Sequence, residues 1–142
     1  MAPLLHIDGV IAALTRIVAD SKQRGDRNGY FAALYRKVTI RVKEGIAAGQ
    51  FEDGLRMEQL DIRFAQRYLD AYEAYQSKAP CSKCWEIAFT STNHERLTVL
   101  QYLLLGINAH INLDLGIAAA ETMNNQELEA LHHDFDAINA VL

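Results

Sequence analysis

Apolar positions recur at helical spacing along almost the whole chain. Ile7, Val10, Ile11, Leu14, Ile17 and Val18 predict a first helix over Ile7–Lys22, with Asp8 placed to cap its first turn. The polar segment QRGDRN, residues 23–28, reads as a connection, and Asn28 is the expected N-cap of a second helix. That helix carries Phe31, Leu34, Tyr35, Val38 and Val42 to about Ala48, where Gly49 supplies a left-handed cap. The run VTIRV at 38–42 favours a strand by propensity, but helical spacing continues on both sides of it. Asp53 predicts the cap of a third helix, Gly54–Gln76, drawn by Leu60, Phe64, Tyr68 and Tyr72. After Pro80, a short helix over Ser82–Phe89 presents Trp85 and Phe89 as packing anchors.

The most apolar stretch, LTVLQYLLLGINAHINLDLGIAAA from Leu97 to Ala120, predicts the central element. Thr92 and Glu95 have capping-box spacing just before it, so the helix is expected over about 93–123, with Gly106 marking a bend or the close approach of a neighbour. Asn124 and Glu127 repeat that spacing ahead of a last helix lined by Leu128, Leu131, Phe135, Ile138 and Leu142. The expected fold is an all-α bundle of five to six helices around this long central helix, in a single domain over 1–142. The last helix is expected to dock on the body or to meet a second copy of the chain.

Inside the central stretch, Asn108, His110, Asn112 and Asp114 occupy every second position. Alternation suits a strand, but the run is far too long for one. On a helix His110 and Asp114 share one face, one turn apart, and Asn108 and Asn112 share another. A carboxylate buried without a partner costs several kcal/mol or takes up a proton, so the fold must supply a partner, a cation or a wet pocket.

The H-x-x-x-D spacing occurs again at His132–Asp136, on the edge of its stripe. Such pairs suit two ligands of one ion, and bundles build metal sites by facing them. A divalent metal (Zn or Fe/Mn) would be held by His110 and Asp114, with Asp61, beside the stripe of the third helix, as a further ligand. Two other readings stay open for His110 and Asp114. One is a purely architectural hydrogen-bonded pair; the other is metal-free acid/base work in which Asp114 orients His110. A residue placed like Asp61 is more often a solvated or salt-bridged flank.

Composition narrows the function classes. The net charge of −4 and the scattering of basic residues leave no footprint for nucleic acid. The start, MAPLLHIDGV, lacks a signal-peptide pattern, and the run Val99–Ile107 is broken by Gln101 and falls short of the ~20 residues that span a bilayer. A soluble, cytoplasmic protein is expected. Cys81 and Cys84 form one C-x-x-C with no second pair for zinc and no flanking strands for a thioredoxin-like role, so they read as two thiols near the start of a short helix.

The block GINAHINLDLGIA, with YFAALYRKVT and FAQRYLDAY upstream, resembles an uncharacterised, mostly bacterial family of helical proteins carried as a domain of unknown function. The similarity runs from about Gly29 to Ala120 and is most specific in N-A-H-I-N-x-D-L at Asn108–Leu115. It implies an all-α fold and importance for Asn108, His110, Asn112 and Asp114, and brings no reaction with it. A fainter similarity is to zinc-dependent phospholipase C and nuclease enzymes, which also use H-x-x-x-D on a core helix; their further histidine motifs are missing here. Together these readings predict a small metal-assisted hydrolase or lyase acting on a small molecule. His110 and Asp114 would hold an ion or activate water, while Asn108 and Asn112 orient substrate or brace a neighbouring helix. The alternative is a non-catalytic helical binding or oligomerisation module, whose buried polar residues form a structural network that fixes packing register and whose apolar C-terminal helix joins a partner or a second copy, as a homo-oligomer.

Overall fold

The computed structural model describes residues 3–141, and within them six helices and no strand. Leu142, the last member of the expected C-terminal apolar line, lies outside the described residues. Helices α1 (Ile7–Arg24) and α2 (Gly29–Ala47) form an antiparallel hairpin, and α3 (Gly54–Gln76) packs against both. The short α4 (Lys83–Ser91) leads into the central α5 (Val99–Met123), which contacts α2, α3 and α4. A single 3-10 turn, Leu128–Leu131, precedes α6 (His132–Val141), which returns to α2.

The chain punctuates these helices with local chemistry. Gly25 closes α1 at φ 66°, and Gly49 sits at φ 68° just past α2, where a side chain would be strained. The Asp53 side chain accepts from the Arg56 N–H and caps α3 as expected. The other expected caps differ. Asn28 makes no capping bond: its backbone is already helical at φ −59° and ψ −21° rather than extended, and its N–H donates to the Asp26 carboxylate at 2.9 Å. Asp8 lies past the cap of α1, in its first turn, and pairs with Lys43.

Helix α5 starts later than expected. The Thr92 hydroxyl donates back to the Phe89 carbonyl at 2.8 Å and so belongs to the end of α4, while Thr98 and Gln101 form the capping box that opens α5. Asn124 is also reassigned: at φ 42° it is the left-handed cap that ends α5, so α6 begins only at His132.

Two apolar clusters fill the bundle. The larger joins α1 to α5 around Leu14, Tyr68, Leu69 and Trp85; the smaller ties Met57, Leu60 and Met123 to Leu131, with Phe135 and Ile138 packed against it. From Leu131 to Ile138 the C-terminal stripe is thus turned inward, whereas Leu128 is exposed. Gly106 lets α5 approach α2, since a Cβ there would lie 2.5 Å from the Phe31 ring. Val99–Met123 is the one described helix long and apolar enough to cross a bilayer, and it carries a buried His and a buried Asp through its middle. Its outer side leaves Leu100, Leu104, Ile107 and Ile111 exposed.

Candidate functional site

Helix α5 is not uniform. Val99–Ala109 and Leu115–Met123 are α-helical, and the segment between them, His110–Asp114, is a single π-helical turn. Such insertions interrupt the regular ladder and are frequent at functional sites. The wider turn brings side chains four residues apart closer to eclipsed, which sets His110 beside Asp114.

Asp114 is almost completely buried, 1% exposed, and accepts from three side chains. Arg67 Nε, from α3, reaches Oδ1 at 2.8 Å; Trp85 Nε1, from α4, reaches Oδ2 at 2.7 Å; His110 Nδ1 lies 3.3 Å from Oδ2. Burial pushes the carboxyl up, but the hydrogen bonds from His110, Trp85 and Arg67 together outweigh it and hold Asp114 below the ordinary carboxylate range. The group is therefore an anion paired to Arg67, and a carboxylate can only accept.

That fixes the imidazole. His110 Nδ1 must carry a proton to bond Asp114, which leaves Nε2 with its lone pair. Burial, joined by the charge of Arg67, lowers the His110 pKa against the upward pull of Asp114, so the ring is neutral near pH 7. Aromatic rings enclose it: Phe64 stacks at 3.5 Å between centroids and 6° between planes, and Tyr35 meets it edge-on at 4.5 Å. Nε2 is buried and has no hydrogen-bond partner among the described residues.

His110 lines a cavity of about 430 Å³ between α2, α3, α5 and α6. Its walls are mostly aliphatic and aromatic, including Leu34, Val38, Met57, Phe64, Ile111 and Phe135, and no Lys or Arg among the described residues lines it. A second acidic group enters here. Asp61 is buried rather than a solvated flank, and its Oδ2 lacks a partner among the described residues. Burial, with a smaller contribution from Glu58, pushes its carboxyl up to about 7. The Tyr35 hydroxyl is also buried and unpartnered, and burial first, then Asp61 and Asp114, raise its pKa.

The structure thus brings His110, Asp114 and Asp61 to one region but does not aim them at one point. The nitrogen and oxygen atoms of His110 and Asp114 face each other, and each Asp114 oxygen already accepts from Arg67 or Trp85. No group of three His, Cys, Asp or Glu side chains among the described residues converges as metal ligands. Asn108 and Asn112 are exposed on the outer side of α5, where Asn112 Nδ2 donates to Asn108 Oδ1 at 2.6 Å; they are not interior groups, and they brace each other rather than a neighbouring helix. The second H-x-x-x-D pair, His132–Asp136, is a surface contact of 3.4 Å with both side chains largely exposed.

Three participants went unread in the sequence. Trp85 looked like a packing anchor, although a buried indole N–H needs an acceptor. Arg67 follows Phe64 by three positions and therefore shares its side of α3, where it can meet an interior Asp. Asp134 is fully buried and accepts from the Glu52 N–H at 2.7 Å and from Arg56 Nη2 at 2.8 Å, anchoring α6 to the start of α3. Cys81 and Cys84 are free, partly buried thiols at the start of α4.

A family model described as a family of unknown function, DUF5995, matches residues 7–142. No curated protein and no solved structure matches the chain.

Proposed function

We propose that this chain, which belongs to the DUF5995 family, binds a largely apolar small molecule in the cavity beside α5 and acts on it by metal-free acid/base chemistry. His110 is the base. The observation that carries this is its unpartnered, buried Nε2 on a ring whose other nitrogen is tied to the Asp114 carboxylate. Asp114 keeps Nε2 unprotonated by holding the proton on Nδ1, and it stabilises the imidazolium that forms when Nε2 takes a proton. Arg67 and Trp85 position Asp114. Asp61, with a carboxyl pushed up to about 7, can give or take the second proton. Proton transfer of this kind serves hydrolysis, elimination or isomerisation.

A divalent ion fits these donors poorly, because both oxygens of Asp114 already accept from protein groups; among the described residues that line the cavity, the buried atoms left without a partner are His110 Nε2, Asp61 Oδ2 and the Tyr35 hydroxyl. A buried base in an apolar cavity removes a carbon-bound proton from an activated heterocycle such as 5-nitrobenzisoxazole, whose ring opening is followed by absorbance. Wild-type protein is expected to open it roughly 100-fold faster than His110→Gln. Equal rates in the two proteins contradict the assignment of His110 as base. Ligand-induced stabilisation without any turnover in either protein would favour capture of a small molecule without chemistry.

A further inference from the structure

The unsatisfied polar atoms on residues that line the cavity can all accept a hydrogen bond, and none belongs to a cation; the Tyr35 hydroxyl can also donate one. His110 Nε2 presents a lone pair, and Asp61 Oδ2 is a carboxyl oxygen; both are buried without a partner among the described residues. The two carboxylates differ in one respect. Asp114 has Arg67 beside it, whereas no cation among the described residues pairs with Asp61, and the charge acting on it is Glu58, of the same sign. No Lys or Arg among the described residues reaches the cavity wall, and the rings of Phe31, Tyr35 and Phe64 contribute to it.

A ligand suited to this lining must bring what the protein lacks. Its polar end is best served by donating hydrogen bonds, since a carboxylate or phosphate would meet lone pairs and negative charge with only the Tyr35 hydroxyl to donate and no cation to neutralise it. A positive charge gains twice, from the Asp61 carboxylate and from the electron-rich ring faces. The remainder of the molecule has to be hydrocarbon, because the walls offer Leu34, Val38, Met57, Leu60 and Ile111.

Resting on the reading of this cavity as a ligand site, we propose that its ligand is a hydrophobic amine, bound as the ammonium with Asp61 as counter-ion and His110 Nε2 as a second acceptor. Asp61 selects the class of ligand, and His110 is brought against the amine end of it. The assignment explains why an interior carboxyl without a cation among the described residues shares the lining of a largely apolar cavity with a neutral imidazole.

The test compares three probes with one chain length, n-octylamine, 1-octanol and octanoate, by isothermal titration calorimetry at pH 8, where an alkylamine is still protonated. Octylamine is expected to bind at least about tenfold more tightly than octanol, with octanoate weakest of the three. Asp61→Asn should bring the amine down to the level of the alcohol. Where that variant does not fold, wild-type protein serves: the preference for amine over alcohol should shrink as the pH falls through about 7 and Asp61 takes up a proton. The titratable neighbours of Asp61 are Glu58 on its own helix, Tyr35 on α2 and His110 on α5, while Asn139 from α6 carries no charge. Octanol or octanoate binding wild-type protein as tightly as the amine overturns the amine assignment and leaves the cavity as a ligand site. So does a preference that survives loss of the Asp61 charge. Failure of all three probes to bind overturns the ligand site itself.

Discussion

Trp85 Nε1 donates to Asp114 Oδ2 at 2.7 Å, joining α4 to the π turn of α5 inside the core. This bond and the Arg67 contact on the other oxygen make a buried negative charge tolerable, so their removal should be costly. Trp85→Phe keeps an aromatic body and deletes the donor, and is expected to lose about 2 kcal/mol at pH 7 by urea unfolding. Arg67→Met removes the cation and should cost about 3 kcal/mol. The folded-state pKa of Asp114 is depressed, so its contribution is present above the unfolded value, about 3.9, and is lost as pH falls through the lower folded value. The damage from Arg67→Met should therefore shrink in acid. A penalty independent of pH would mean that Arg67 acts through packing alone.

Asp61 behaves in the opposite sense. Its carboxyl is raised from 3.8 to about 7, so between those values the native state holds a proton that the unfolded chain has lost. Stability from this group is complete below the unfolded value and falls as pH rises toward 7. The burial cost reaches roughly 4 kcal/mol once the group is ionised in both states. Asp61→Asn should consequently stabilise the protein at pH 8 relative to wild type and flatten the loss between pH 5 and 8, read from urea midpoints. A slope unchanged by the substitution would place the titration elsewhere.

The packing of α5 on α2 gives a third test. A Cβ at position 106 would approach Phe31 Cδ2 to 2.5 Å and Cγ to 2.9 Å, near the root of the ring, where a rotamer change gives little relief. Ala in place of Gly gains about 1 kcal/mol of helix propensity, but overpacking typically costs 1–3 kcal/mol. Gly106→Ala is expected to destabilise by about 1 kcal/mol and, because Phe31 lines the cavity, to weaken octylamine binding. A stabilised variant with intact binding would show that α2 yields easily.

What the sequence revealed and what it hid follow from the range of the interactions. The 3.6-residue spacing placed the helices because burial of one face is a local pattern, and Asp53 was legible as a cap because its partner is three residues away. Interior polarity at His110 and Asp114 was legible because apolar neighbours surround them. The competing capping boxes were not separable: Thr92 and Thr98 both precede acceptable partners, and only the end of α4 decides between them. The exposure of Asn108 and Asn112 depends on which side of α5 lacks a neighbour, a tertiary fact. The roles of Arg67 and Trp85 arise across 47 and 29 positions, beyond any periodicity.

Two acidic residues in one turn of α6 should respond differently. Asp134 is fully buried and accepts from backbone at Glu52 and from Arg56, whereas Asp136 faces solvent beside His132. Asp134→Ala is expected to cost about 3 kcal/mol, since it strands buried donors and frees α6 from α3. Asp136→Ala should leave the thermal midpoint almost unchanged. Equal losses for the two would contradict the inward placement of Asp134.

The central claim is that His110 holds a free acceptor against the cavity, and ¹⁵N-detected NMR of its imidazole tests this most directly. The account predicts a neutral ring protonated on Nδ1, a pKa below the ordinary 6.5, and an Nε2 resonance that moves when octylamine is added. A ring protonated on Nε2, titrating near 6.5 and indifferent to octylamine, would contradict it.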